Sequence, residues 1–253
     1  MKLEKTTKVT LWYLLITFTI MGIVWGGILI AQQYGYLKSD SMMFYPLLIL
    51  GGASTTIASF LVLIKSGVSA KEWFANVFGI KQKPFFYLII LFFLVCYVVL
   101  GYMTNSFTLS TPLYFLLLFS FTNIVAGGLE EAGWMYILQP NLEKSMSFNL
   151  ATFIKNTIWV LWHLPLFFMD GMVQQNMNFG LYFIFMLGYS FSLAAIRRLT
   201  GSVWLCVLFH ASLNAVLTVF AIEFRLVGTT VMSLSIIIVS LLALKIKERK
   251  HPL

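Results

Sequence analysis

Long apolar blocks fill this chain and limit the folds that it can adopt. They recur from about residue 10 to about residue 244, and most are close to 20 residues long, the length of a helix that crosses a bilayer. Hydrophobic residues make up 60% of the 253 residues and charged residues only 10%, whereas a soluble protein averages ~25% charged residues. The sequence therefore predicts an all-α fold, a polytopic membrane helical bundle, with residues 1–253 as a single integral membrane domain.

The apolar blocks predict about eight transmembrane helices. The predicted spans cover approximately residues 10–31, 42–64, 84–103, 112–138, 149–168, 179–196, 202–221 and 226–244. Between the second and third spans, the chain around residues 70–78 fits a short interfacial helix with Trp73 and Phe74 at the level of the lipid headgroups. Most other aromatic residues are interpreted as facing lipid or lying in interfacial belts, and none is assigned a chemical role.

The basic residues predict the orientation. With the N-terminus inside, 15 of the 17 lysines and arginines fall in inner segments or at inner helix ends, and only Lys38 and Arg225 fall outside. Basic residues concentrate on the cytoplasmic side of membrane proteins, so we expect both termini to be cytoplasmic. The same distribution explains the net charge of +8 without a nucleic-acid partner.

Two adjacent carboxylates lie well inside the fourth predicted span. Seven of the nine acidic residues fall in tails, loops or helix ends, and only Glu130 and Glu131 do not. A carboxylate at the centre of a membrane helix costs roughly 2.5–3.5 kcal/mol on insertion scales. This cost predicts that the pair faces partners inside the bundle. Lys155 is the nearest basic residue that could pair with them.

Histidine and amide side chains lie in other predicted spans. His163 shares a helical face with Asn156 and Trp159, and His210 shares one with Asn214 four residues later. A lone histidine or asparagine in a membrane bundle usually serves only as a hydrogen-bonding link between helices. Together with the paired glutamates, however, these residues predict a functional site.

Two glycines stand just before the glutamates. Gly127 and Gly128 lack side chains, so another helix or a substrate backbone can approach closely there. On the predicted helix, Asn123, Gly127 and the glutamates share a face, at positions i, i+4 and i+7 or i+8.

The chemistry of this residue set is that of acid–base catalysis. A buried glutamate can act as a general base towards water, and an imidazole or amide can donate to an oxyanion. Two histidines and a glutamate also form a known catalytic zinc set, but the helical His-Glu-x-x-His pattern is absent. A set of Glu130, His163 and His210 would be the zinc ligands if the metal were present. We expect no cofactor.

The ordered motifs resemble the CAAX protease and bacteriocin-processing family, also called the Abi family, of intramembrane peptidases. Its pattern is Glu-Glu-x-x-x-Arg, then Phe-x-x-x-His, then His-x-x-x-Asn or Asp. Here the corresponding residues are Glu130-Glu131, His163, and His210 with Asn214. The resemblance covers about residues 115–220, which it implies to be the catalytic core. It also implies the eight-span fold.

The resemblance assigns a role to each residue. It implies that Glu130 activates the attacking water and that Glu131 is its paired neighbour. It implies that His163, His210 and Asn214 position the water and stabilise the oxyanion, without an obligatory metal. Two positions depart from the family pattern: Met135 stands where Arg is usual, and Trp159 where Phe is usual.

The resemblance implies an intramembrane endopeptidase. Its substrate would be a membrane-associated peptide or protein that enters from the cytoplasmic half of the lipid bilayer. In a multi-pass protein of a bacterial plasma membrane, the role would be peptide maturation or bacteriocin self-immunity. Two other hypotheses stay open: a non-catalytic membrane scaffold or immunity protein that retains the fold, favoured by Met135, and a proton- or cation-coupled transporter. Discontinuous helices repeated in two halves, the mark of many transporters, are not visible in the sequence.

The predicted topology can be tested with reporter fusions. A reporter placed after Lys83 and another placed at Leu253 should both report a cytoplasmic location, because the basic residues near both positions hold them inside. Each site is fused in turn to a reporter that is active only in the cytoplasm and to one that is active only outside it, and the two activities are compared. An external location for either fusion would contradict the predicted number of spans.

Overall fold

The computed structural model describes residues 2–250, and side-chain burial for residues 6–249. These residues are almost entirely helical. The longer helices are α1 (Lys2–Gln33), α2 (Phe44–Gly52), α3 (Ser54–Lys65), α4 (Ala70–Val77), α5 (Pro84–Met103), α6 (Phe115–Ala126), α9 (Phe148–Trp162), α10 (Phe179–Thr200), α11 (Val203–Val219) and α12 (Leu226–Lys250). Between α6 and α9 lie two short helices, α7 (Glu131–Gly133) and α8 (Gln139–Leu142). The helical fold class is confirmed.

Four of the described helices are long and apolar enough to cross a membrane. They lie at Thr6–Gln33, Pro84–Met103, Phe179–Thr200 and Leu226–Arg249. Two broken pairs, Phe44–Gly52 with Ser54–Lys65 and Phe115–Ala126 with Gly128–Leu142, bring the number to as many as six. A polytopic membrane bundle is therefore supported, whereas the number of eight spans and the cytoplasmic termini stay predictions.

Two of the predicted spans are shorter in the structure than in the sequence analysis. The fifth ends at Trp162 and continues as a 3-10 turn over Leu164–Phe167, because Pro165 supplies no N–H for a further α-helical turn. The seventh is the 17-residue helix α11, a little below the ~20 residues of a full crossing.

Discontinuous helices, which the sequence did not reveal, are present. The second predicted span is bent by 40° between α2 and α3. The fourth is not one helix. It ends as an α-helix at Ala126, resumes as a 3-10 turn over Gly128–Glu130 and passes through a π-helical stretch over Trp134–Leu138.

Pro140 gives a physical reason for the π-helical stretch. It has no N–H to donate to the carbonyl of Tyr136, four residues earlier, and its ring crowds that carbonyl. The backbone widens just before Pro140 and the helix then continues to Leu142, beyond the predicted end of the fourth span at about residue 138. Such π-helical turns occur often at functional sites.

Backbone contacts divide the chain into two compact units, each made of two separate stretches. The first contains the chain up to Trp73 together with Leu129–Phe179, and the second contains Phe74–Gly128 and the chain from Gly180 onward. The expected single domain stays a prediction.

In the first unit, α1 packs against α2 and α3. The approach of α1 to α2 is close because Gly51 has no side chain: a Cβ there would lie 2.1 Å from the indole nitrogen of Trp25. That nitrogen donates to the carbonyl of Leu48 at 3.0 Å. Apolar packing and the hydrogen bond of the Trp25 indole therefore hold α1 and α2 together.

In the second unit, α11 packs against α6 and α5, and α5 also packs against α12. A short antiparallel pair joins β1 (Phe107–Leu109) to β2 (Phe220–Ile222), with Thr108 opposite Ala221. On α10, the backbone N–H of Gly188 donates to the hydroxyl of Ser233 on α12 at 3.0 Å. A Cβ on Gly188 would lie only 3.0 Å from the Cα of Ser233, so the absence of a side chain at Gly188 lets α12 approach closely.

The interpretation of the aromatic residues is wrong for most tryptophans. Six of the seven are buried: Trp25, Trp73, Trp134, Trp159, Trp162 and Trp204. Trp73 in particular is buried against the protein, where its indole N–H donates to Ser59 at 3.0 Å, and its depth at the headgroup level stays a prediction. The rings of these six tryptophans pack in the protein interior. The periodicity of the sequence did not show which aromatic side chains face inward.

Close packing at Gly128 yields a stability prediction. A Cβ at this position would lie 2.7 Å from the carbonyl oxygen of Val207 on α11, and a backbone oxygen cannot move aside easily. We expect Gly128→Ala to lower the free energy of unfolding by about 1–3 kcal/mol. Thermal unfolding of the purified protein in detergent measures the effect.

Gly22 on α1 provides the matched control, since a Cβ there meets nothing within 4 Å. Gly22→Ala should leave the midpoint unchanged or raise it slightly, because alanine is the better helix former by up to ~1 kcal/mol. An equal response of the two variants would contradict the close approach at Gly128.

Candidate functional site

The paired glutamates lie at the junction of three backbone geometries. Glu130 ends the 3-10 turn, and Glu131 begins α7, which leads into the π-helical stretch. Both side chains are buried, Glu131 completely. The hydroxyl of Thr56 on α3 donates to the carbonyl of Leu129 at 2.7 Å, which fixes the backbone immediately before the pair.

Trp159 on α9 binds the first of these carboxylates. Its indole N–H donates to Oε2 of Glu130 at 3.0 Å. The indole is itself buried, so the hydrogen bond is screened from water and fixes the orientation of the carboxylate. The sequence analysis treated Trp159 only as an aromatic residue and missed this donor.

His163 lies at the end of α9 and also contacts Trp159. Its Nδ1 is 2.9 Å from the carbonyl oxygen of Trp159. A carbonyl can only accept a hydrogen bond, so Nδ1 carries the proton, and in the neutral imidazole Nε2 is the acceptor. The sequence analysis placed His163 inside a helix, whereas it caps the C-terminus of α9.

A group of buried rings holds His163 in place. The ring of Trp162 meets the imidazole edge to face, with centroids 4.8 Å apart. Trp162 in turn packs against Trp25 of α1 at 4.6 Å and against Trp134 at 5.8 Å. Its indole N–H donates to the hydroxyl of Ser54 at 3.3 Å. The orientation of His163 therefore depends on helices α1 and α3.

Tyr13 explains the glycine that follows the glutamate pair. A Cβ on Gly133 would lie 2.3 Å from the hydroxyl oxygen of Tyr13 on α1. The Tyr13 ring is fully buried and meets Trp134 edge to face at 5.8 Å. Gly133 thus permits α1 to pack directly against the segment that carries Glu130 and Glu131, a contact that no sequence signal on α1 predicted.

His210 and Asn214 converge on one residue. Both lie on α11, and a Cβ on Gly127 would lie 2.8 Å from Nδ2 of Asn214 and 3.1 Å from Nε2 of His210. The predicted close approach at Gly127 and Gly128 is therefore confirmed, with α11 as the partner helix. The hydroxyl of Tyr189 donates to the carbonyl of His210 at 3.1 Å, which anchors this part of α11 to α10.

The structure therefore groups the predicted residues in two sets. Glu130 and His163 share contacts with Trp159, and His210 and Asn214 share contacts at Gly127. Glu131 adjoins Glu130 in the chain and is completely buried. The catalytic assignment of these five residues stays a prediction.

Lys155 has two interpretations in the sequence analysis, a basic residue at an inner helix end and a possible partner of the glutamates. The sequence analysis counted it with the basic residues of the inner membrane face, but its side chain is completely buried. Its ammonium nitrogen lies 4.5 Å from the centroid of a Trp159 ring. It therefore belongs to the interior of the first unit rather than to the charged surface that sets orientation.

The described residues do not favour the zinc alternative. In the part of the chain that the structure describes, no group of three or more histidine, cysteine, aspartate or glutamate side chains is placed so that it could hold a metal ion. Of the proposed ligands, Glu130 already accepts a hydrogen bond from Trp159. The expectation of a metal-independent site stays a prediction.

Comparison with protein families gives a match over the stretch that contains the candidate site residues. Residues 111–216 match the family described as Rce1-like, the type II CAAX prenyl endopeptidases. No curated protein matches the chain. The matched range includes Glu130, Glu131, His163, His210 and Asn214. The match covers less than half of the chain and confirms the predicted resemblance to the CAAX-type proteases.

Metal independence can be tested directly. Because the described residues offer no three-ligand group, we expect proteolytic activity to survive prolonged treatment with a strong chelator. Metal content of the purified protein, measured by mass spectrometry before and after chelation, accompanies the assay. Stoichiometric zinc, with activity lost on its removal and restored on its return, would contradict this expectation.

Proposed function

We propose that this chain is an intramembrane endopeptidase in which Glu130 is the general base. The observation that most supports the proposal is a buried carboxylate at a helix break, oriented by the indole N–H of Trp159. A carboxylate inside a membrane protein is costly and usually functional. The match of residues 111–216 to the Rce1-like family makes peptide-bond hydrolysis the function that best accounts for it.

In the proposed reaction, Glu130 removes a proton from a water molecule while the water oxygen attacks the carbonyl carbon of the scissile peptide bond. His163 is suited to orient that water, since its Nε2 is a hydrogen-bond acceptor when Nδ1 donates to the Trp159 carbonyl. Collapse of the tetrahedral intermediate breaks the C–N bond, and the proton held by Glu130 passes to the leaving amine.

The oxyanion of that intermediate needs donors. We propose that the amide of Asn214 and the imidazole of His210 supply them, as the family pattern implies. The approach of both groups to Gly127 supports a shared task for the two. Glu131 is proposed as the paired neighbour of Glu130, with no proton-transfer step of its own.

The proposed substrate is a peptide or protein held in or at the bilayer. In a bacterial plasma membrane its cleavage would serve peptide maturation or bacteriocin self-immunity. Met135 is completely buried and apolar, so it offers no charge to a substrate carboxylate. For this reason the proposal does not include specificity for prenylated CaaX termini.

A comparison of membrane-peptide termini tests the proposal and identifies the substrate. Cells that carry the wild-type protein and cells that carry Glu130→Gln are compared by mass spectrometry of N- and C-terminal peptides. Glutamine keeps the size and an acceptor for Trp159 but cannot take the proton of water. We expect the cleavage products to fall by about 10²–10⁴, the contribution of a general base.

Asn214→Ala should reduce turnover by about 10²–10³ if the amide is one oxyanion donor. Glu130→Ala, His163→Ala and His210→Ala should each reduce it severely. Their double variants should lose little more than the singles, because groups that act as a unit are not additive.

The control for charge removal is Glu223→Gln. Glu223 is exposed and pairs with the neighbouring, exposed Arg225, and such surface ion pairs contribute little to stability. Protein abundance is measured for every variant. If Glu130→Gln at normal abundance retains both the cleavage products and the biological phenotype, the chain is a scaffold rather than a protease. Helix breaks alone do not separate the hypotheses, since transporters also place polar groups at them.

A further inference from the structure

The hydrogen bond between Trp159 and Glu130 needs a side-chain donor at position 159, which the family pattern does not require. An indole carries one N–H donor, whereas phenylalanine, which is usual at this position in the family that the chain resembles, has none. In this chain the N–H lies 3.0 Å from Oε2 of Glu130. The hydrogen bond fixes the rotation of the carboxylate. A phenylalanine at the same position could contact the carboxylate but could not orient it.

Lys155 lies one helical turn before Trp159 on α9. Its ammonium nitrogen is 4.5 Å from the centroid of a Trp159 ring, within the ~6 Å range of a cation–π interaction. A positive charge on the ring face draws electron density from the indole, and so makes its N–H a stronger donor to the carboxylate. The cation, the ring and Glu130 form one continuous polar chain.

Charge balance gives an independent reason for this arrangement. Among residues 6–249, Lys155 is the only buried lysine or arginine, and Glu130 and Glu131 are the only buried carboxylates. All three belong to the first unit. Buried charges in proteins are stable only when opposite charges and hydrogen bonds compensate them. The buried ammonium is the cation of the described first unit from which such compensation is available to the glutamate pair.

We infer that Trp159 and Lys155 are positioning residues for Glu130: the indole N–H orients the carboxylate, and the ammonium on the ring face strengthens that hydrogen bond and balances its charge. The catalytic meaning of this inference rests on the proposed function. The contact itself does not, so the two can be tested separately.

The contact is tested by NMR on the full-length protein in detergent micelles, labelled with ¹⁵N-tryptophan. The seven tryptophans give indole N–H resonances, and the Trp159 resonance is the one that Trp159→Phe removes. We expect this resonance to move upfield by more than its line width in Glu130→Gln, where a neutral amide replaces the carboxylate. It should also move in Lys155→Met, where the cation leaves the ring.

Matched controls use exposed residues of the same types. Lys71→Met and Glu223→Gln remove exposed charges and should leave the Trp159 resonance in place. Trp12 is 51% exposed, so Trp12→Phe should remove one resonance and leave the others. A Trp159 resonance that responds to neither Glu130→Gln nor Lys155→Met would overturn the inference, even if Glu130→Gln abolishes proteolysis.

The kinetic test uses a fluorogenic peptide built on the cleavage site that the terminus comparison identifies. Trp159→Phe and Lys155→Met should each lower kcat by on the order of 10- to 100-fold, the effect of a misplaced catalytic group. KM should stay within about twofold, because neither residue touches the substrate. Lys155→Arg keeps a cation over the ring and should recover most of the activity.

The remaining outcomes also decide between the hypotheses. A rise in KM at constant kcat would make Trp159 or Lys155 a substrate contact and overturn the positioning role. An unchanged kcat in Lys155→Met would remove Lys155 from the inference. If Lys155→Met fails to accumulate, Lys155→Arg and Trp159→Phe still test the cation and the donor. A responsive indole resonance in a wild-type protein without proteolysis would support the contact and refute the proposed function.

Discussion

Burial of two adjacent carboxylates is the constraint on which the rest of this structure depends. A membrane helix can tolerate such groups only if they turn away from lipid towards donors or cations. Here the donor is the indole of Trp159, and the buried cation of the same unit is Lys155. The site is therefore built from the packing of α9 against the glutamate segment, and the free energy of that packing stabilises the charges.

An interrupted helix is the second element of the arrangement. In a continuous α-helix, side chains about one turn apart point in the same direction, and the backbone N–H and C=O groups bond to one another. The break at Gly127 ends α6, and the 3-10 turn and π-helical stretch that follow present successive side chains in directions that a regular helix cannot. The glycine at the break also leaves the space in which His210 and Asn214 approach the backbone. Polar groups and irregular backbone thus occur together, as membrane proteins allow only where the backbone is shielded from lipid.

Sequence reasoning reached the class of the fold and the resemblance, and it located the helices well where apolar length alone decides. It predicted 84–103 for the third span, and the structure has Pro84–Met103. It also predicted the close approach at Gly127 and Gly128. It could not find the breaks in the second and fourth spans, because hydropathy reports burial in lipid or protein and not the direction of the helix axis. The contact of Tyr13 with Gly133 escaped it for another reason: the two residues are 120 positions apart, and nothing in a single sequence links them.

The sequence named Lys155 as a possible partner of the glutamates, but the same limit explains why its contact with the Trp159 ring could not be predicted. An arginine at position 135 would lie four residues after Glu131, and a motif written in sequence spacing could detect it. Lys155 instead lies on another helix, where its ammonium contacts the ring of Trp159, so its position depends on how α9 is placed against the glutamate segment. The amide of Gln139, buried at the end of the π-helical stretch, donates to Thr152 on α9 at 3.0 Å and to Glu143 at 2.9 Å. Thr152 lies just under one turn before Lys155. The hydrogen bond from Gln139 to Thr152 therefore fixes the position of Lys155 relative to the segment that carries Gln139. Under the inference that Lys155 balances their charge, a methionine at position 135 is compatible with a buried glutamate pair, because the cation lies on the helix that also carries the tryptophan donor.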